Sequence, residues 1–83
     1  MPDIRYSIRV VDRNGKGISN EKVSVHYELT FDSNWTDSDG WVTFEKSNLI
    51  YNGIKVDVYF RGKLLGKISW AENGDTFSFT YNY

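Results

Sequence analysis

Apolar and polar side chains alternate one for one along most of this chain. That period of two gives a β-strand one greasy and one wet face, while a helix would scatter the same residues around its circumference. Ile4, Tyr6, Ile8 and Val10 share one face of the segment 4–11, with Arg5, Ser7 and Arg9 on the other. The longest run, 22–31, places Val23, Val25, Tyr27, Leu29 and Phe31 together and Lys22, Ser24, His26, Glu28 and Thr30 opposite. This run predicts a single ten-residue strand with all five apolar residues facing a core. The pattern returns over 41–45, 54–60, 64–70 and 76–83, with Val42 and Phe44 expected inward and Trp70 expected to pack with Leu64 and Ile68. No window repeats apolar residues at helical spacing behind a capping residue, so the expected helix content is nil.

Turn residues divide the strands. Asn14-Gly15, Asp37-Ser38-Asp39-Gly40, Arg61-Gly62-Lys63 and Glu72-Asn73-Gly74-Asp75 each supply the left-handed or Asp-capped backbone that reverses a chain. The last reads as a hairpin. Residues 32–40 are polar and acidic apart from Trp35 and read as a loop, and 47–53 as irregular, with Leu49, Ile50 and Tyr51 forming either a short strand or a plug. Six or seven short strands so spaced predict an all-β fold, either an antiparallel β-sandwich or a small closed barrel.

Composition narrows the function classes. With 83 residues there is room for one domain, 1–83. So short a chain needs large side chains to fill a core, and aromatics make up 17% of it. A formal charge of -1 lacks the clustered Lys and Arg of a nucleic-acid binder. No apolar run reaches the roughly 18–20 residues of a membrane helix, and Met1-Pro2-Asp3-Ile4-Arg5 lacks a signal-peptide pattern. The absence of cysteine excludes disulfides and thiolate metal sites.

The stretch Ile8-Arg9-Val10-Val11-Asp12-Arg13-Asn14-Gly15-Lys16-Gly17-Ile18-Ser19-Asn20-Glu21-Lys22-Val23-Ser24-Val25, followed by Thr36-Asp37-Ser38-Asp39-Gly40-Trp41-Val42-Thr43-Phe44, resembles the immunoglobulin-like and prealbumin-like (carboxypeptidase regulatory-like) β-sandwich modules of bacterial surface proteins. The likeness covers about the first half of the chain. Lys16-Gly17 stands where such modules often carry proline, and the Cys and Trp signature of antibody domains is missing. The resemblance implies a scaffold, with the Asp37–Gly40 turn structural, an extracellular or cell-surface setting, and a role in spacing, adhesion or recognition.

Catalysis is not expected. The single histidine, His26, lies on a polar strand face, and the acids crowd into solvated turns rather than facing each other across a cleft. Asp32, Asp37 and Asp39, with Asn34, offer hard oxygen ligands for calcium within one loop, though not in EF-hand order. Against that stands a plain solvated loop, balanced by Arg61 and Lys63 from the same end of the fold. Otherwise no cofactor is expected.

Trp35 stands among polar residues at a loop tip, with Trp41 across the turn and Tyr59 on a polar strand face. Such rings can stack on sugar faces while Asn34 and nearby acids hold hydroxyls. The competing reading folds Trp35 over the end of the core as a lid. Asn34-Trp35-Thr36 also matches the N-glycosylation pattern. The run 76–83 is uncharged and rich in β-formers, so it is either paired inside a sheet or an edge for dimerisation. The expected function is that of a non-catalytic accessory or interaction module, structural or protein-recognising, with a carbohydrate-binding module using exposed aromatics as the alternative. The expected partner is a protein or a glycan, and the expected state a monomer or an edge-strand dimer.

Overall fold

A computed structural model of the chain describes residues 3–47 and 51–82. The expectations for Leu49, Ile50 and Tyr83 lie outside the described residues. The described chain is all β: β1 (Ile4–Val11), β2 (Lys22–His26), β3 (Phe31–Trp35), β4 (Trp41–Lys46), β5 (Gly53–Phe60), β6 (Lys63–Glu72) and β7 (Thr76–Thr80). Among the described residues no helix is long and apolar enough to cross a membrane.

The seven strands form two sheets, one of three strands in the order β4-β1-β7 and one of four in the order β3-β2-β5-β6. The alternation does what the sequence expects of it. Ile4, Tyr6, Ile8 and Val10 of β1 and Val42 and Phe44 of β4 meet Val23, Val25, Val56, Val58 and Phe60 of the other sheet in one buried cluster. Rings fill the wider gaps: Tyr6 stacks on Phe44 at 5.9 Å, and Tyr81 meets Phe60 edge-on at 4.8 Å. The Tyr6 hydroxyl, carried into the core, bonds to the Tyr27 hydroxyl at 2.6 Å.

Three expectations are corrected. The first is that the run 22–31 is a strand, a turn and the start of another strand. Tyr27 donates its amide to the Thr30 carbonyl at 2.8 Å, so the chain reverses over Glu28 and Leu29. Leu29 is 92% exposed at the tip. Strand partners across this hairpin (Lys22 with Trp35, Val23 with Asn34, Ser24 with Ser33) always pair an odd with an even position. Odd residues point inward on β2, so odd residues point outward on β3, and Phe31 ends up 72% exposed.

The second correction concerns strand direction. β7 runs parallel to β1, from Ser7 beside Thr76 to Val11 beside Thr80, so the fold is not purely antiparallel. Its cause is the Glu72–Asp75 turn, closed by Asp75 N to Glu72 O at 3.1 Å. That turn carries the chain out of the four-stranded sheet and into the other rather than back along β6. The third correction is Trp70, which lies across Gly53, where a Cβ would stand 2.5 Å from its ring, and donates to Glu72 at 2.8 Å.

Two loops pack glycine against glycine. The first is the Asp12–Gly17 turn, in which Asp12 Oδ1 accepts the amides of Asn14 and Lys16. The second is the Asp37–Gly40 turn, in which Asp37 Oδ1 accepts those of Asp39 and Trp41. Gly40 has φ +87°, and the Gly17 Cα lies 2.9 Å from the place its Cβ would occupy.

Candidate functional site

The outer face of the four-stranded sheet follows from the same alternation. Once Val23, Val25, Val56 and Val58 take the core, Lys22, Ser24 and His26 of β2 and Asp57 and Tyr59 of β5 face outward, joined by Phe31, Ser33 and Trp35 of β3. Cross-strand pairing orders them in rows: Trp35 beside Lys22, Ser24 between Ser33 and Tyr59, His26 between Phe31 and Asp57. The His26 ring sits 4.4 Å from that of Tyr59 and 5.8 Å from that of Phe31.

Ser24, a small side chain in the middle row, leaves a trough between Trp35 and Lys22 on one side and His26 and Tyr59 on the other. It is an open groove of about 640 Å³, lined also by Glu21, Arg61 and Gly62. Arg61 and Gly62 both have positive φ, 52° and 78°, which makes the tight turn between β5 and β6 that closes one end. The Arg61 guanidinium donates to Glu21 at 2.8 Å and lies over the rings of Phe60 and Tyr81 at 5.3 and 5.2 Å. Arg61 is thus fixed beside the groove, paired with Glu21 and not with the 32–39 acids the sequence suggested.

A second groove, about 580 Å³, begins on the other side of His26 and runs past Tyr27, Asp57 and Tyr51 to Trp70. One carboxylate oxygen of Asp57 is buried there without a hydrogen-bond partner among the described residues. Aromatic rings and hydrogen-bonding groups therefore line both grooves. Such a surface suits a ligand with flat apolar patches edged by polar groups.

The residues singled out from sequence divide. Trp35 and Tyr59 line the same groove. Trp35 is 60% exposed, so it is no lid over the core. Trp41 belongs to β4 in the other sheet and lies outside that groove. Asn34 alternates with Trp35 and points to the opposite side, where its Nδ2 donates to the Thr43 carbonyl at 3.4 Å and its Oδ1 accepts the Trp35 amide at 2.9 Å. The calcium grouping does not assemble: among the described residues no three acids or histidines come together to hold a metal ion. Asp32 stands on β3 with Oδ1 on the Ser33 amide, and Asp37 spends its Oδ1 inside its own turn.

Lys22 and Ser24 belong to the groove without being singled out from sequence, and His26, weighed there only for catalysis, belongs to it too. Their signal was present as the polar half of the β2 alternation, although nothing in it says that β3 lies alongside and brings Trp35 to the same face. Burial pushes the hydroxyls of Tyr6 and Tyr27 above the ordinary tyrosine range. The bond from Tyr27 and the negative charge of Asp32 add to the effect on Tyr6. At Tyr27 the bond from Tyr6 acts the other way, while Asp32 again raises it. These two groups belong to the core and its rim. No protein-family model and no curated protein matches the chain.

Proposed function

We propose that this chain is a non-catalytic interaction module whose recognition surface is the outer face of the four-stranded sheet, centred on Trp35, Ser24, His26 and Tyr59. The observation that carries the reading is Trp35: a tryptophan left 60% exposed by a complete buried core and lining an open groove beside Tyr59 and His26. Large exposed rings on a small domain mark contact surfaces. The His26 ring packs on Tyr59 and Phe31, and among the described residues no hydrogen bond ties it to its cross-strand neighbour Asp57 as a nucleophile–base relay would need. The two sheets are compatible with a β-sandwich, and the resemblance of the sequence to immunoglobulin-like or prealbumin-like modules adds an extracellular or cell-surface setting to the proposal. A peptide library displayed on phage, selected on the wild type and counter-selected on Trp35→Ala, tests the proposal. Binders lost with Trp35→Ala support it, and binders indifferent to the variant argue against this face.

A glycan is the second reading, favoured by Trp35 and Tyr59 lining one groove with Lys22, Ser24 and Arg61 at hand for hydroxyls. Tryptophan emission titrated with a panel of polysaccharides tests it. No shift with any of them discards the glycan and leaves the protein-binding reading standing.

A further inference from the structure

The two sheets leave four edge strands, β3, β4, β6 and β7, and they differ in how their outward backbone groups are occupied. On β3 the outward amides of Ser33 and Trp35 are each taken by the preceding side chain, Asp32 Oδ1 at 2.8 Å and Asn34 Oδ1 at 2.9 Å. On β4 the Trp41 amide and carbonyl are both bonded to Asp37, and the Thr43 carbonyl to Asn34. β6 is broken by two register shifts against β5 and carries Lys63 and Lys67. Bulges, charges and local capping are the usual means of stopping a sheet edge from recruiting another strand.

β7 has none of them. Asp75 O accepts from Ser7, and Tyr81 N donates to Val11, so alternate residues between them face β1. The amides and carbonyls of Thr76, Ser78 and Thr80 therefore point to the open edge, and no described residue pairs with them. The strand is uncharged, and it reads the same in both directions: Thr-Phe-Ser-Phe-Thr about Ser78. A two-fold interface requires the same surface to complement itself. Two antiparallel β7 strands related through Ser78 set Thr76 against Thr80, Phe77 against Phe79 and Ser78 against its own copy, like facing like at each position. Asp75 falls opposite Tyr81, so no charge meets its own sign.

We propose that β7 is the pairing edge of a two-fold homodimer. The open groups of Thr76, Ser78 and Thr80 form about six backbone hydrogen bonds with a second copy, and the two three-stranded sheets become one. The recognition face lies on the other sheet and stays uncovered. So short an edge buries less than the roughly 1,200–2,000 Å² of a tight interface, so the association is weak and needs protein at high concentration to show.

Sedimentation equilibrium from micromolar to about 1 mM tests this directly. The wild type should rise with concentration from 9.7 kDa toward twice that mass, and the Thr76, Ser78 and Thr80 amides should gain hydrogen-exchange protection over the same range. Thr76→Lys/Thr80→Lys sets like charges opposite each other twice, and Thr76→Lys/Thr80→Glu sets opposite charges there. The second should associate at least about tenfold more tightly than the first. A wild type that stays at 9.7 kDa to 1 mM, a dimer whose β7 amides exchange freely, or two charge variants that associate equally would each overturn the proposal.

Discussion

Gly17→Ala tests the glycine contact that locks the two loops together. Gly17 does not have a positive φ, so alanine meets no backbone strain there and its cost is one of contact alone. The added Cβ would stand 1.9 Å from the Asp39 carbonyl oxygen and 2.3 Å from its carbon, where real Cβ atoms keep at least 3.0 Å. The Asp37–Gly40 turn must therefore withdraw by about 1 Å, a forced backbone shift of the kind that costs ~1–3 kcal/mol. The moving atoms also hold Arg9 Nε on Asp39 O at 2.9 Å and Val10 N on Gly40 O at 2.9 Å. Losing both adds ~1 kcal/mol each, for a total of about 4 kcal/mol. A domain of this length holds only ~4–12 kcal/mol, so the melting midpoint should fall by roughly 20 °C. Gly15→Ala is the control, since no atom lies within 4 Å and only its φ of +83° opposes the change, at ~1–2 kcal/mol. Urea titrations followed by tryptophan emission read both. If Gly17→Ala costs no more than Gly15→Ala, the packing argument is wrong.

Other substitutions separate core from face. Phe60→Ala empties a ring-sized volume at a residue only 1% exposed and should cost ~3–5 kcal/mol by denaturant titration. Trp35→Ala should change stability by less than ~0.5 kcal/mol, the range of surface substitutions, and a lid would cost several times that. Alkaline pH should destabilise the protein. The folded Tyr6 hydroxyl titrates above its unfolded value of about 10, so its stabilising contribution is complete below that pH and lost as pH rises past it, by ~1.4 kcal/mol per pH unit. Tyr6→Phe should flatten that fall in a series of unfolding titrations run from neutral to alkaline pH, and an unchanged slope would remove Tyr6 as its cause.

How far the sequence could be read depends on what a period of two can encode. It says which residues share a face within a strand, and β1, β4 and β5 follow it closely, as do the turns at Gly15, Gly40 and Gly62 with their positive φ. It is blind to a turn that lacks glycine, proline or asparagine, and Tyr27-Glu28-Leu29-Thr30 is such a turn. The alternation passes through that hairpin unbroken and so predicts Phe31 in the core, whereas strand pairing puts it on the surface. Partner choice is equally silent: the Asn-Gly signal at 73–74 marks a reversal and does not say that β7 leaves the sheet of β6. The same limit applies to the candidate site. Trp35 and Tyr59 were legible as rings out of place, but their convergence with His26 and Ser24 depends on β3, β2 and β5 lying side by side.

The functional account rests on Trp35 facing solvent beside Lys22 on the outer sheet face, and nuclear Overhauser contacts to its ring test this most directly. The account predicts contacts from the Trp35 ring to the Lys22 side chain and none to the methyls of Val23 and Val25. Strong contacts between that ring and the valine methyls would place Trp35 in the core and contradict it.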